Sequence, residues 1–286
     1  GVLDRLLHVD RCPVRVRTWQ ARHGVRIRAE RVEPGLAIHF DDCECRGAGE
    51  EELEIAIERM RFVFGLDDDM GEFFRAFKGD PLIGAVIHHK PWLRPKRRPW
   101  PWEALAWAIT EQLIEASRAA VIQRRIVRRW GPRVAPGQRS QRPLLDVPRA
   151  RLMSGRAPAE LVSMDLTEAR ALALIRCARD VAAGRIDLTD PDDDRRLLAI
   201  REIGPWTVQC LGFHGRGEPD SLAAGDLAYV KLVGHLAGLG RRATVEEVEE
   251  YFAPYEPFRG LAGRFALAAH GRAMGQGPPL RMADAA

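Results

Sequence analysis

"LLAIREIGPWTVQCLGFHG" (residues 197–215) is two apolar, helically spaced segments with almost nothing between them. The first runs into Ile203-Gly204-Pro205 and the second begins at once. Proline fits the first helical position, because its ring pre-sets φ and its missing N–H had no intrahelical partner anyway. The spacing therefore predicts helix, tight turn, helix, with the second helix opening at Pro205. A helix start carries backbone N–H groups without internal partners, and with the helix dipole these make an anion site. Gly204 has no side chain to keep another backbone away. A hairpin of this kind can grip a phosphate without reading a base, and its carbonyls could hold a monovalent cation against that phosphate. Taken alone, an Ile-Gly turn reads more simply as a plain helical hairpin packing its own core.

Asp226 stands 20 residues after Trp206, at the head of another helical run, "DLAYVKLVGHLAG". Most of the chain from residue 51 has helical rhythm. "EELEIAIERMRFVFGL" places Leu53, Ile57 and Met60 on one stripe and ends at Gly65. "WEALAWAITEQLIEASRAAVIQRRIVRRWG" (102–131) reads as one long helix or two. Residues 156–164 form a short helix. Thr167 is a cap for 168–184, and Asp190 or Asp192 for the helix through Ile200. Thr244 with Glu247 has the spacing of a capping box, and 257–273 is the last helix. Before all this, "VRVRTW" and "VRIRAERV" alternate with period two, and "GLAIHF" is a shorter third run. They predict a small antiparallel sheet with one wet face. The fold class is mainly α with a small N-terminal antiparallel β-sheet (α+β). Residues 1–80 are expected to form a sheet-plus-helix domain, 101–218 a helical domain with the hairpin, and 81–100 with 219–286 a second helical domain, the active-site cleft lying between the helical parts. "KPWLRPKRRPWPW" (90–102) is too rich in proline for a helix interior and reads as a connection.

Composition bounds the class. The chain has 286 residues, 46% hydrophobic and 29% charged, as ordinary globular proteins do. No apolar run approaches the ~18 residues of a membrane span, and no membrane partner is expected. Five cysteines (Cys12, Cys43, Cys45, Cys177, Cys210) match no zinc or iron–sulfur spacing. Cys43 and Cys45, beside Asp41 and Asp42, could touch a metal, although a polar turn is the simpler reading. A start without a signal-peptide layout and an odd cysteine count point to a reducing, cytoplasmic setting. Lys plus Arg number 44 against 40 acids, a net charge of +4. The charge is concentrated in "RPKRRPWPW" (94–102) and "RRIVRRWGPR" (124–133), either polyanion-binding surfaces or solvated faces.

Read together, "LLAIREIGPWTVQCLGFHGRGEPDSLAAGDLAYVKLVG" resembles the helix-hairpin-helix DNA glycosylase superfamily, most closely its DNA-3-methyladenine glycosylase II branch. That branch reads L-x-x-I-x-G-I-G-x-W-T-A, a spacer, then P-x-D-x-x-x-x-K. Trp206, Thr207, Asp226 and Lys231 fit. "AIERMRFVFGLDDDMGEF" and "WEALAWAITEQLIEASRAA" resemble the segments before the hairpin, so the likeness covers roughly residues 50–272. Two features depart from it. Glu202 stands where the hairpin usually has its first glycine, which sets a carboxylate near the phosphate. "SLAAG" replaces the usual aromatic-proline approach to the acid.

The resemblance implies a helix-hairpin-helix glycosylase architecture and a site. Asp226 is the expected catalytic carboxylate, beneath a sugar that turns cationic as its bond to the base breaks. It also suits an N-cap. Strand-cutting members carry a lysine two residues after the second hairpin glycine. Here that position is Trp206, which implies a monofunctional enzyme. Trp206, Cys210, Gln112 and, on weaker grounds, Trp107 are base-pocket candidates. Leu113 is the expected wedge, filling the gap left by a flipped base. Ile203, Gly204, Pro205, Trp206 and Thr207 form the backbone-gripping hairpin. The implied substrate is double-stranded DNA with an alkylated base of the 3-methyladenine or 7-methylguanine type, acted on by a monomer with no cofactor or catalytic metal, close to the nucleoid. Two alternatives stay open: a hairpin DNA-binding protein without catalysis, and a glycosylase for deaminated or oxidised bases.

Overall fold

A computed structural model describes residues 1–32, 37–38, 47–135 and 143–270. The Cys43 and Cys45 pair lies outside the described residues. Two compact units emerge among the described residues, one of residues 1–63 with 110–185, the other of 64–109 with 186–270.

The chain opens with a meander of three strands, β1 Val2–Val9, β2 Cys12–Ala21 and β3 Gly24–Arg31, in that order. Strand β1 escaped the sequence reading. Its apolar residues Val2, Leu3, Leu6 and Leu7 are spaced as on a helix, and the hairpin turn overrides that pattern. Asp10 and Arg11 both take positive φ, 43° and 73°, the two-residue turn whose twist matches a β-hairpin. Val9 then pairs with Cys12 and Val2 with Trp19. Along β2, Val14, Val16 and Thr18 are buried while Arg15, Arg17 and Trp19 are half-exposed, which matches the expected wet face. The "GLAIHF" run does not extend this sheet. Its described pair, β4 Ala37–Ile38, is hydrogen-bonded to a strand about a hundred residues later.

Helices follow: α1 Glu50–Phe64, α2 Gly71–Phe77, α3 Gly84–His89, α4 Pro101–Glu111 and α5 Ala116–Trp130. The 102–131 segment is thus two helices, broken at residues 112–115. Then come β5 Arg133–Val134 and β6 Leu144–Leu145, which complete a second small sheet in the order β4-β5-β6. Helices α6 Ala150–Ser154, α7 Pro158–Val162 and α8 Glu168–Ala182 pack together, and the first unit closes around them. Thr167 occupies the cap position of α8, but its hydroxyl does not cap; it accepts from Arg170 Nε instead. Buried in this unit, Asp146 Oδ2 accepts the His8 backbone N–H at 3.1 Å and meets His8 Nδ1 at 2.7 Å, while Oδ1 accepts Val147 N–H at 2.8 Å. A buried carboxylate is tolerated on such terms.

The second unit continues with α9 Asp194–Leu198, α10 Pro205–Leu211, α11 Leu227–Leu236, α12 Val245–Phe252 and α13 Arg259–His270. Its core is aromatic. Phe73 lies 5.1 Å from Phe265, 5.3 Å from Phe77 and 5.7 Å from Phe258, centroid to centroid. Tilted and edge-on pairs of this kind suit the ring quadrupole. The last helix starts at Arg259, after Pro257, so Pro257 is not in its first turn.

Candidate active site

The joint between α9 and α10 is as tight as its sequence implies. Leu197, Ile203 and Thr207 are buried on its inner side, and Ile203 N–H closes back on Ile200 O at 3.0 Å. Gly204 is the extended cap residue of α10, with φ −111° and ψ 178°. Its carbonyl accepts from Thr207 N at 3.0 Å and Val208 N at 3.3 Å. A Cβ placed on Gly204 would meet nothing within 4 Å. The hairpin tip thus faces open space and admits another backbone.

Glu202 precedes the turn in an unusual conformation for its residue type. It takes φ +73°, the left-handed region that glycine occupies without cost. A glycine would therefore fit this position without strain. Its Oε1 lies 3.5 Å from Arg201 Nε, so part of its charge is met locally.

From α10 the chain winds on as a π-helical segment, Gly212–Arg216. A Cβ on Gly215 would stand 2.9 Å from Ala104 Cβ and 3.1 Å from Pro101 Cα, which is why α4 can pack against this segment. The loop leading to α11 is tied down. Arg259 pairs with Asp220 through both its side chain and its backbone N–H, and Ser221 Oγ donates to Gln209 O at 3.0 Å.

Asp226 stands at the end of that loop, half-buried. It is the N-cap of α11, with Oδ1 accepting from Ala228 N at 2.8 Å. That bond uses one carboxylate oxygen for the fold. The half-buried Trp206 flanks the loop: a Cβ on Gly225 would lie 3.9 Å from its Cδ1. One turn into α11, burial pushes the Tyr229 hydroxyl well above its ordinary value, and the negative charge of Asp226 adds to the shift. Tyr229 thus stays a neutral phenol near the acid. Cys210 is buried and close enough to influence Tyr229. Trp107 is buried on α4, 6% exposed.

Two further residues escaped the sequence reading. Burial holds the His214 imidazole below its ordinary value, against the Lys96 carbonyl that accepts from Nδ1 and the charge of Asp226. Arg264, on α13, is depressed by burial and opposed by Tyr229. Its Nε has no hydrogen-bond partner among the described residues. The signal for Arg264 was a lone charge inside "GLAGRFALAAHG", where an amphipathic surface would have more.

Gln112 and Leu113 belong to the other unit. Gln112 is half-buried, whereas Leu113 is fully exposed, at 103%, with φ +53°. It is not a core residue of an amphipathic helix. Among the described residues no group of three or more His, Cys, Asp or Glu side chains could hold a metal, and no helix is long and apolar enough to cross a membrane.

No protein-family model matches the chain. It is 24% identical over 210 residues to a DNA-3-methyladenine glycosylase of Bacillus subtilis, covering 70% of this chain and 67% of that protein. It is 25% identical over 237 residues to a probable bifunctional transcriptional activator/DNA repair enzyme AlkA of Mycobacterium tuberculosis, where the match spans 80% of this chain and 45% of that longer protein. In three dimensions it superposes on the 3-methyladenine DNA-glycosylase of Archaeoglobus fulgidus with a TM-score of 0.76 at 19% identity, covering 96% of this chain and 88% of that one. The chain is built on the helix-hairpin-helix DNA glycosylase fold, and its sequence resembles the DNA-3-methyladenine glycosylases.

Proposed function

We propose that this protein is a monofunctional DNA glycosylase that flips alkylated bases out of double-stranded DNA and releases them by hydrolysis. The observation that carries this reading is Asp226, a half-buried carboxylate on the loop beside Trp206, directly downstream of a hairpin with an open tip. The open end of α10 takes a phosphate of the damaged strand. Trp206 offers a π-face to an electron-poor, often cationic base. As the bond from C1′ to the base nitrogen breaks, its electron pair leaves with the base and positive charge builds on the sugar. Asp226 stabilises that charge with its remaining oxygen. A water oxygen then bonds to C1′, and the proton it sheds passes to the carboxylate and on to solvent. Such preorganised electrostatics contribute on the order of 3–4 kcal/mol.

Trp206 stands where a strand-cutting enzyme has its lysine, so no Schiff base forms and the product is an intact strand with an abasic site. The test is duplex DNA treated with a methylating agent, with released bases and strand breaks measured separately. Release of 3-methyladenine or 7-methylguanine without strand cleavage and without borohydride trapping supports the reading. Binding without release would make the chain a DNA-binding protein only. Release restricted to hypoxanthine, uracil or 8-oxoguanine would move it to another lesion class.

A further inference from the structure

The turn that carries Leu113 is held from outside its own helices. A leucine that is fully exposed and in the left-handed region is unfavourable twice over. Left alone, residues 112–115 would relax towards a right-handed continuation of α4 and withdraw the side chain. Two braces oppose this. From α5, Gln123 Nε2 donates to Thr110 Oγ1 at 2.9 Å and Glu111 Oε1 at 3.0 Å. From α8, Arg170 Nη1 donates to the Gln112 carbonyl at 2.9 Å, from 58 residues away in sequence. The Arg170 guanidinium is itself oriented, since its Nε donates to Thr167 Oγ1 at 3.0 Å. The carboxylate nearby is taken: Asp165 binds Arg118 through two bonds of 2.9 and 2.7 Å. Arg170 therefore gives its charge-assisted bond to the turn.

We propose that Arg170 is a positioning residue for the wedge, clamping the Gln112 carbonyl so that Leu113 stays projected when it is pressed into a base stack. This inference rests on the glycosylase reading above. A residue that acts through Leu113 has no further effect once Leu113 is gone, which a merely structural role would not predict.

The experiment is a double-mutant cycle of Arg170→Ala and Leu113→Ala, read on duplexes with 2-aminopurine beside the lesion. Fluorescence reports flipping, and single-turnover release reports the outcome. Arg170→Ala is expected to lower flipping and release about tenfold on a paired lesion, a loss typical of coupled neighbours, and much less on a mismatched one, where flipping is already easy. The double variant should match Leu113→Ala alone, and Arg170→Lys should restore part of the loss. Multiplying losses in the double variant, or equal losses on paired and mismatched lesions, would overturn the proposal. If Arg170→Ala does not melt cooperatively, the same cycle with Arg170→Gln applies the same criterion. Wild-type protein that releases no base would instead overturn the glycosylase reading, and this inference with it. Active wild type with multiplying losses overturns the inference alone.

Discussion

The carboxylate of Asp226 caps α11 through Ala228 N and is also the proposed stabiliser of the sugar cation. A substitution can separate the two roles. Asparagine caps a helix about as well as aspartate, so Asp226→Asn should melt within a degree or two of the wild type. It lacks the charge, so base release in single turnover should fall by about 10²–10³-fold, the usual cost of removing one preorganised group. Asp226→Ala should lose both, with about 1 kcal/mol of stability gone as well. Wild-type release by the Asn variant would remove Asp226 from the chemistry. Glu202 supports a second test at this scale. At φ +73° it is strained, and its charge sits on the hairpin proposed to meet a phosphate. Glu202→Gly relieves about 1 kcal/mol of strain, offset in part by the greater freedom glycine gives the unfolded chain. Thermal stability should barely change, while duplex affinity by fluorescence anisotropy should rise several-fold. Unchanged or weaker binding would mean that this carboxylate does not face the phosphate.

Helix α12 shows how far a single element can be inferred from its letters. Thr244 and Glu247 form the capping box their spacing implies, with Glu247 N to Thr244 Oγ1 at 3.2 Å and Thr244 N to Glu247 Oε2 at 2.7 Å. Arg241 then adds two bonds to the same carboxylate. Hydrogen bonding from Arg241, followed by the Thr244 N–H, lowers the Glu247 carboxyl from 4.5 to about 2. A depressed acid stabilises the fold above its unfolded value, and that contribution is lost as pH falls from about 4.5 towards 2. Glu247→Gln keeps the box, since Gln can fill the third helical position, but it does not titrate. Its melting temperature should therefore fall less steeply than that of the wild type across this window, and the difference should shrink in salt because the pair is on the surface. Parallel curves would refute the linkage. The Thr244–Glu247 box and the hairpin were legible because they depend on residues two to four positions apart, whereas the Thr167 hydroxyl was drawn away from its cap by Arg170. The break at Leu113 was not legible: no glycine or proline marks it, and the groups that hold it open come from α5 and α8. The pairing of β4 failed for the same reason, since its partner lies about a hundred residues away, whereas strand β1 was missed because its apolar residues are spaced as on a helix. At the site, Asp226 and Trp206 were singled out by the family resemblance of the motif around them, whereas the desolvation that shifts His214 and Arg264 comes from packing between segments distant in sequence.

A net charge of +4 says little until the two basic stretches are told apart. The structure uses them differently. In 94–98, Arg94 Nε donates to Gly65 O at 3.2 Å and Arg97 pairs with Asp68 at 2.6 Å, with only 9% of the Arg97 side chain exposed. These charges hold the fold. Helix α5 is amphipathic instead. Ile122, Ile126 and Trp130 are buried, while Arg124, Arg125, Arg128 and Arg129 are exposed along the other side. Trp130 is core, so the interleaved tryptophan of this stretch is not a stacking platform. If the α5 face contacts phosphates, each contact releases counterions, and the logarithm of affinity falls with the logarithm of salt by about 0.9 per phosphate. Changing Arg124, Arg128 and Arg129 together to Gln should weaken binding equally on damaged and undamaged duplexes and flatten the salt slope by about two to three. Arg97→Gln should do the opposite. It leaves Asp68 without its nearest cation, so the melting temperature should drop while the salt slope stays the same. The two variants differ little in composition, and titrating binding from low to moderate salt separates them. Should Arg97→Gln flatten the slope and the α5 variant leave it unchanged, the duplex-facing charge would lie in the 94–98 segment and the basic face of α5 would be a solvated surface.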